Sequence, residues 1–307
     1  MIPAQLDPLK GIARSAHAIP KRRRAPIIGC VERLVIFDLD GVVYRGDRPV
    51  AGAPELIAAL HRRGTLVRFA TNNSMATRQA YVARLAAMGI PADVEEIVTS
   101  TSATIDHLRA HLPEVRRVLA VGAPGMFVEL RAAGLIVTPA AEAVPPDYAG
   151  GPLASVPDAV IAGLDPQFDY RRLAAAVSAV RAGARFIATN ADTRYPTPSG
   201  FLPGAGSMVA AIRVAAGTDP LLIGKPEPAI FQTIMERAGV GPGETVAIGD
   251  NPDADVVAAR RAGIRSILVL TGVADAGIAT GLVGERVPDA VANGPAEVAR
   301  LLGLALS

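Results

Sequence analysis

Tryptophan is absent from this sequence of 307 residues, and cysteine occurs once, at Cys30. A single cysteine cannot form an internal disulfide and fits a reducing compartment, so we expect a cytoplasmic protein. No apolar run approaches the roughly 18 residues that a membrane span needs, so we expect no membrane partner. The net charge of +2 gives no electrostatic reason to expect nucleic acid as a partner. We expect a globular protein long enough for two domains.

Acidic residues are almost missing from the first 30 residues, where Asp7 is the only one and the run KRRR stands at 21–24. An Arg-rich, acid-poor start also occurs in organelle transit segments, but a loose tail or an upstream start codon explains it more simply. We therefore interpret residues 1–32 as an N-terminal extension that is disordered.

Lysine is nearly absent as well. It occurs at Lys10, Lys21 and Lys225, and every other basic side chain of the Lys/Arg type is arginine. Two of the three lie in the N-terminal extension, so the folded part is expected to hold one lysine. A compact ammonium and a planar guanidinium are not interchangeable, which favours a specific role for Lys225 over that of an ordinary surface lysine.

Short apolar runs alternate with longer segments of helical period that often end at glycine. This alternation predicts βαβ units and an α/β fold with a parallel sheet. The predicted strands are Leu34–Phe37, Leu66–Ala70, Arg117–Val121, Ala159–Ala162, Phe186–Thr189, Thr245–Ile248 and Ser266–Leu270.

Four polar sequences follow apolar runs: DLDG at 38–41, TNNS at 71–74, GKPEP at 224–228 and GDNPDAD at 249–255. In open α/β sheets ligands bind beyond the carboxyl ends of the strands. We therefore expect these four loops to meet in one crevice.

Two aspartates, Asp38 and Asp40, stand at the end of the first apolar run. In extended chain they face the same side, where like charges repel unless a positive charge lies between them. With Asp250 they offer the hard oxygen ligands that Mg²⁺ prefers, and Mg²⁺ together with Lys225 supplies the positive charge. A polar strand end and the metal-binding DxD pair of glycosyltransferases are the alternatives.

The TNNS turn offers hydroxyl, amide and backbone N–H groups at a predicted helix start, which suits a phosphate oxygen. A plain helix cap by Asn73 or Ser74 is the alternative. In the last loop, Asp253 fits a structural role in a first helical turn. Asp255 is placed to orient Lys225 or a metal-bound water.

The four loops in this order resemble the motifs of the haloacid dehalogenase (HAD) superfamily of phosphotransferases. The resemblance implies that Asp38 is the nucleophile that forms an aspartyl-phosphate, and that Asp40 is the acid and base whose backbone carbonyl also binds Mg²⁺. It further implies roles for the other loops. Thr71, Asn72 and Asn73 would bind the phosphate, Lys225 would neutralise it, Asp250 would complete the metal site, and Asp255 would support it.

Asp40 also bears on the reaction, because an alkoxide leaving group needs a proton and a halide does not. Its presence therefore favours a phosphatase over a dehalogenase. Only 30 positions separate Gly41 from Thr71, whereas 154 separate Thr71 from Lys225. This places an inserted α/β cap of the C2 type at 113–219, within a Rossmann-like core at 33–112 and 220–307. Such an insertion is typical of subfamily IIA, the NagD-like group.

In the predicted cap, the stretch from Phe186 to Ile212 most resembles phosphatases of glycerol 3-phosphate or nitrophenyl phosphate, and their phosphoglycolate relatives. Asp192, Arg194 and Tyr195 are the candidates that face the leaving group. Tyr195 stands where vertebrate pyridoxal phosphatases have a histidine, which disfavours pyridoxal phosphate. We predict a Mg²⁺-dependent phosphatase of small phosphate esters, and relatives often dimerise through the cap. A metal-dependent glycosyltransferase and a non-catalytic phospho-ligand binding module are the alternatives.

Overall fold

The structure, a computed structural model, describes residues 32–197 and 200–306. The predicted N-terminal extension, with Cys30, lies outside these residues apart from Glu32. The strands of the described part are β1 (Leu34–Phe37), β2 (Tyr44–Arg45), β3 (Arg48–Pro49), β4 (Leu66–Thr71), β5 (Ile97–Thr99), β6 (Arg117–Val121), β7 (Ile136–Pro139), β8 (Ala159–Ala162), β9 (Arg185–Ala188), β10 (Arg194–Thr197), β11 (Gly200–Pro203), β12 (Leu221–Leu222), β13 (Thr245–Gly249), β14 (Arg265–Val269) and β15 (Ala290–Ala292).

The α-helices of the same residues are α1 (Ala53–Arg62), α2 (Arg78–Ala87), α3 (Ser100–His111), α4 (Pro124–Ala132), α5 (Tyr170–Arg181), α6 (Ala205–Ala216), α7 (Ala229–Ala238), α8 (Val257–Ala262), α9 (Ala276–Thr280) and α10 (Pro295–Leu301). A π-helical turn, Pro252–Val256, leads into α8. As predicted, α7 and α8 end at glycines in the left-handed conformation, Gly239 and Gly263. Within the described ranges, no helix is both long and apolar enough to cross a membrane.

The core sheet has six parallel strands in the order β15-β14-β13-β1-β4-β5. All four side chains of the central β1 are buried, as a parallel strand covered on both faces requires. The α/β fold with a Rossmann-like parallel sheet is therefore confirmed. Because β13, β1 and β4 are neighbours, the loops that follow them emerge side by side at one edge.

The second sheet is built from the chain between α3 and α7, and its five parallel strands follow the order β12-β9-β8-β6-β7. We call this part, from β6 to β12, the inserted unit. Its last strand, Leu221–Leu222, pairs with β9. Two sequence expectations need correction here. The inserted unit extends beyond the predicted boundary at residue 219, and the GKPEP loop follows a strand of the second sheet rather than of the core sheet.

A shared apolar cluster joins the two units. Leu34 and Ile36 from β1 lie in the same buried cluster as Val118 and Ala120 from β6, and Met126 from α4 completes the connection. Each large apolar side chain buried in this way contributes about 1.5–3 kcal/mol. The packing therefore holds the inserted unit against the edge of the core where the polar loops emerge.

Candidate active site

The strand ends of the core sheet bring the predicted polar residues together. Asp38 directly follows β1, and its backbone N–H donates to the carbonyl of Ile248 in the neighbouring β13, with an N–O distance of 2.8 Å. Asp250 follows the end of β13, and Thr71 is the last residue of β4. Lys225 reaches the same place from the loop that follows β12, the last strand of the inserted unit.

Lys225 is the central cation of the site, and only 2% of its surface is exposed. Its Nζ lies 2.5 Å from Oδ1 of Asp38 and 2.6 Å from Oδ1 of Asp255, and it also donates to the carbonyl of Ala70 at 3.2 Å. Burial opposes the charged form, but Asp255 and Asp38 outweigh it and raise the pKa of Lys225. The lysine is therefore a charged link between two carboxylates, and the contact with Asp255 is in keeping with one of the two roles that the sequence suggested for that residue.

Three carboxylates form one cluster, because oxygen atoms of Asp38, Asp250 and Asp255 all lie within 4.8 Å of one another. Asp255 is anchored at both ends, since its Oδ2 accepts the backbone N–H groups of Asp250 and Asn251 at 3.1 and 3.0 Å. Burial, followed by the charge of Asp255, raises the pKa of Asp250 to about 7. The cluster therefore has more negative charge than one lysine balances.

This donor set fits a hard divalent cation such as Mg²⁺. Asp250 forms no ion pair with any arginine or lysine in residues 32–197 and 200–306, so its charge has no protein counter-ion there. Carboxylate oxygens are the ligands that Mg²⁺ prefers, and a bound cation would restore the charge balance. Asp38 and Asp250 are the side chains that would hold it, because Asp255 already accepts from Lys225 and two backbone N–H groups.

The backbone of Gly272 and Val273 lies against the carboxylate of Asp250 and keeps it in place. The N–H of Val273 donates to Oδ2 of Asp250 at 2.6 Å. A Cβ atom built on the adjacent Gly272 would lie 1.7 Å from the same oxygen, so only glycine fits at this position. Nothing in the local sequence pattern predicted the Gly272–Val273 turn as part of the site.

Asp40 lies beside the cluster rather than in it. Its Oδ2 is 3.5 Å from the hydroxyl of Tyr44, and the guanidinium of Arg84 stacks over the Tyr44 ring at 4.2 Å. Burial raises the pKa of Asp40, and Arg84 opposes this shift. The carboxyl groups of Asp38 and Asp40 therefore have different partners. β1 ends at Phe37, so the strand alternation from which we expected them to share an environment does not extend to Asp40.

The TNNS loop differs from its predicted role at Asn72. Oδ1 of Asn72 accepts the N–H of Lys225 at 2.9 Å, and Nδ2 donates to the Lys225 carbonyl at 2.8 Å and to Oδ1 of Asp192 at 3.0 Å. Both amide hydrogens are therefore in use, which leaves no side-chain donor for a phosphate. Oγ1 of Thr71 accepts the N–H of Asn73 at 3.1 Å.

The three cap candidates separate into two groups. Asp192 contacts Asn72, and burial raises the pKa of its carboxyl group. Tyr195 is partly buried near Asp40, and burial raises its pKa first, with the charge of Asp40 adding to the shift. Arg194 is exposed and lies over Phe201 of the same hairpin at 5.6 Å, so the structure does not bring it to the other residues.

Two further residues support the TNNS loop. The Ser100 hydroxyl and the Asn190 amide both donate to the backbone carbonyl of Asn72, at 2.6 and 2.7 Å. Sequence reasoning missed both contacts. Asparagine occurs only five times in the chain, which was the one available signal for Asn190; Ser100 carried none.

The parallel sheet, with a carboxylate cluster and one buried lysine at its edge, defines an α/β protein with a candidate site for a divalent cation. Comparison with known proteins identifies the family. Residues 35–136 match the family described as haloacid dehalogenase-like hydrolase, and residues 222–298 match a second family described as HAD-hydrolase-like. The human glycerol-3-phosphate phosphatase is 35% identical over 279 residues, which cover 86% of this chain and 86% of that protein.

Similar solved structures support the same family. A glycerol phosphate phosphatase from Mycobacterium tuberculosis, in complex with magnesium, is 34% identical with a TM-score of 0.75, covering 89% of this chain and 76% of its own. NagD from Escherichia coli K-12 is 31% identical with a TM-score of 0.75, covering 87% of this chain and 98% of its own. The chain belongs to the haloacid dehalogenase-like hydrolases, in the NagD-like group. The predictions of this superfamily and of an enzyme are confirmed.

Proposed function

We propose that the protein is a Mg²⁺-dependent phosphatase that hydrolyses small phosphate monoesters through an aspartyl-phosphate. The observation that carries the proposal is the position of Lys225 between Asp38 and Asp255, with Asp250 in the same carboxylate cluster. The main obstacle in phosphoryl transfer is repulsion between an anionic nucleophile and an anionic phosphate, and a buried cation beside the nucleophile reduces it.

In the proposed reaction a carboxylate oxygen of Asp38 bonds to phosphorus while the ester P–O bond breaks. Asp40 donates its proton to the leaving oxygen, and burial, which raises its pKa, favours the protonated form that this step needs. Asp40 then takes a proton from water, whose oxygen displaces Asp38 and releases inorganic phosphate. A bound Mg²⁺ would neutralise part of the charge of the phosphate. Burial raises the pKa of Asp38, and the charge of Lys225 opposes this shift and so favours the ionised nucleophile. Lys225 also holds the Asp38 side chain in place, and we propose that Thr71 contacts the phosphate.

Glycerol 3-phosphate is the substrate that we propose first, since the human relative is named for glycerol 3-phosphate and the mycobacterial one for glycerol phosphate. Phosphoglycolate and nitrophenyl phosphate are the other candidates. Asp192 and Tyr195 are proposed to contact the leaving group, because they approach the core loops from the inserted unit. The cytoplasm as compartment and a homodimer through the inserted unit remain predictions. No specific contact in the structure favours a glycosyltransferase or a non-catalytic binding module.

The test is phosphate release from these esters, pyridoxal phosphate and nucleoside monophosphates, with Mg²⁺ and with a chelator. We expect Asp38→Asn to lower the rate by about 10³-fold or more. The matched control is Asp219→Asn, because Asp219 is an exposed aspartate in an ion pair with Arg213, and it should keep the full rate. Release that survives in Asp38→Asn, or no release by folded, metal-loaded wild type, would overturn the proposal.

A further inference from the structure

We propose a second ligand site in the inserted unit, separate from the carboxylate cluster, that takes an uncharged planar heteroaromatic ring bearing N–H donors, such as a nucleobase. The first observation is a cavity of about 190 Å³ at the carboxyl ends of β6, β7 and β8. Its lining includes Pro124, Phe127, Pro139, Ala141, Asp165 and Arg172.

The topology of the second sheet explains why a cavity forms there. From β6 the chain moves to β7 on one side and then returns to β8 on the other side of β6. The crossovers β6-α4-β7 and β8-α5-β9 therefore run in opposite directions along the sheet, and right-handed crossovers place α4 and α5 on opposite faces. The loops after β6 and β8 separate at this switch point, which is where open α/β sheets bind ligands.

The walls of the cavity suit a flat ring. Most of the lining residues are apolar, and they include three prolines, Phe127 and four small alanines. A cavity of this volume holds one ring system rather than an extended chain, and stacking on flat apolar side chains is the usual way in which proteins hold a heteroaromatic ring.

The polar part of the lining selects donors over anions. Asp165 is 5% exposed, its Oδ1 accepts the N–H of Gln167 at 2.9 Å, and its Oδ2 lies 3.3 Å from Nε of Arg172. Each carboxylate oxygen can accept two hydrogen bonds, so both keep acceptor capacity for ring N–H groups. Arg172 also pairs with Asp169 at 2.7 Å, so its guanidinium is shared between two carboxylates, which disfavours a phosphate-bearing ligand.

The same two loops also hold the TNNS loop of the core. The N–H of Leu164, after β8, donates to Oγ of the fully buried Ser74 at 3.1 Å. At the start of α4, a Cβ atom on Gly125 would lie 2.2 Å from the carbonyl oxygen of Met75, so the two backbones touch. A ring bound between these loops would therefore fix the elements that support Thr71 and Asn72.

The test uses guanosine, adenosine and cytidine as probes, with binding followed by calorimetry and thermal unfolding of the full chain. We expect guanosine to bind best, because its ring offers adjacent N–H donors to a carboxylate, with a dissociation constant on the order of 0.1–1 mM for a ligand of this size. Ala141→Phe, which fills the cavity, should weaken binding by about tenfold or more, and Asp165→Asn should remove the preference for guanosine.

The matched control is Ala182→Phe, at an exposed position after α5 away from the cavity lining. It should bind guanosine like the wild type, and nitrophenyl phosphate hydrolysis by Ala141→Phe without nucleoside should be unchanged. No saturable binding of any of the three nucleosides would overturn the proposal. So would binding that Ala141→Phe leaves intact, since the nucleoside would then occupy another place.

Discussion

The side chain of Asn72 clamps the backbone of Lys225 from both sides, accepting from its N–H at 2.9 Å and donating to its carbonyl at 2.8 Å. Both residues are buried, and they come from different units of the fold. The lysine is thus positioned through its main chain by Asn72 and through its ammonium group by Asp38 and Asp255.

This clamp predicts that Asn72→Ala lowers kcat without removing any group that we assign to the chemistry. Two buried backbone groups of Lys225 would lose their partners, each at a cost of about 1–3 kcal/mol, and a shift of the ammonium by an ångström costs about 10²-fold in rate. Steady-state kinetics and thermal unfolding measure both effects. Asn293→Ala, at an exposed asparagine, is the control, and equal kinetics in the two variants would contradict the clamp.

Replacing Lys225 should cost both activity and stability. Lys225→Gln leaves Asp38 and Asp255 buried without their shared cation, and breaking a buried ion pair typically costs about 3–5 kcal/mol. In chelator, urea unfolding should therefore show a large loss at pH 8 and a smaller one at pH 5, where protonation relieves the carboxylates. Lys225→Arg should not restore the rate, because a planar guanidinium does not replace the compact ammonium in a buried site. Arg213→Gln, at an exposed ion pair, should change neither property.

The metal-free protein should be less stable at pH 8 than at pH 5. The pKa of Asp250 is raised from its ordinary 3.8 to about 7, so between these values the folded state binds a proton that the unfolded state has released. Unfolding free energy therefore falls as pH rises through this window. Mg²⁺ should raise the melting temperature more at pH 8 than at pH 5, because the proton competes with the metal.

Asp250→Asn provides the check on that assignment. It should flatten the decline between pH 5 and pH 8 in chelator and remove most of the gain from Mg²⁺, whereas Asp219→Asn should retain both. A wild-type melting temperature that rises from pH 5 to pH 8 in chelator would rule out the role given to Asp250.

A single methyl group at residue 272 should weaken the metal site. The Cβ of Gly272→Ala would lie 1.7 Å from Oδ2 of Asp250, so the carboxylate would have to move. Disturbing a group that orients a metal ligand costs about 10–100-fold in metal affinity. The dependence of rate on Mg²⁺ concentration measures the change. Gly281→Ala is the matched control, since the nearest atom to its Cβ would be 3.7 Å away, and similar Mg²⁺ dependence in both variants would refute the explanation.

The sequence predicted the features that depend on local pattern. Apolar runs located β1, β4 and β13, and the polar residues that follow them did converge on one edge. The rarity of lysine favoured a specific role for Lys225 over that of a surface lysine, and the structure buries this side chain beside Asp38 and Asp255. In these cases one short stretch of sequence determines both the strand and the functional residue that follows it.

The features that the sequence did not predict depend on contacts between distant segments. A strand of two residues such as β12 is too short to show a pattern of apolar and polar residues. Its pairing with β9 rather than with the core sheet could therefore not be predicted from Leu221–Leu222. We expected the side chain of Asn72 to bind phosphate together with the rest of its own loop. Its hydrogen bonds go instead to residues that are 120 and 153 positions away in the sequence.

The position of Lys225 directly after the inserted unit bears on how the protein can be divided. The core carries the carboxylates, but Lys225 follows directly after β12. Asn190 and Asp192 of the inserted unit form hydrogen bonds with Asn72, the residue that holds the backbone of Lys225. A core from which the inserted unit has been excised would keep its carboxylates and lose the contacts that position Lys225. Chimaeras that exchange this unit between relatives would therefore have to retain the segment from β12 to Pro226 together with the Asn190–Asp192 turn, since these residues hold the cation that balances the carboxylates.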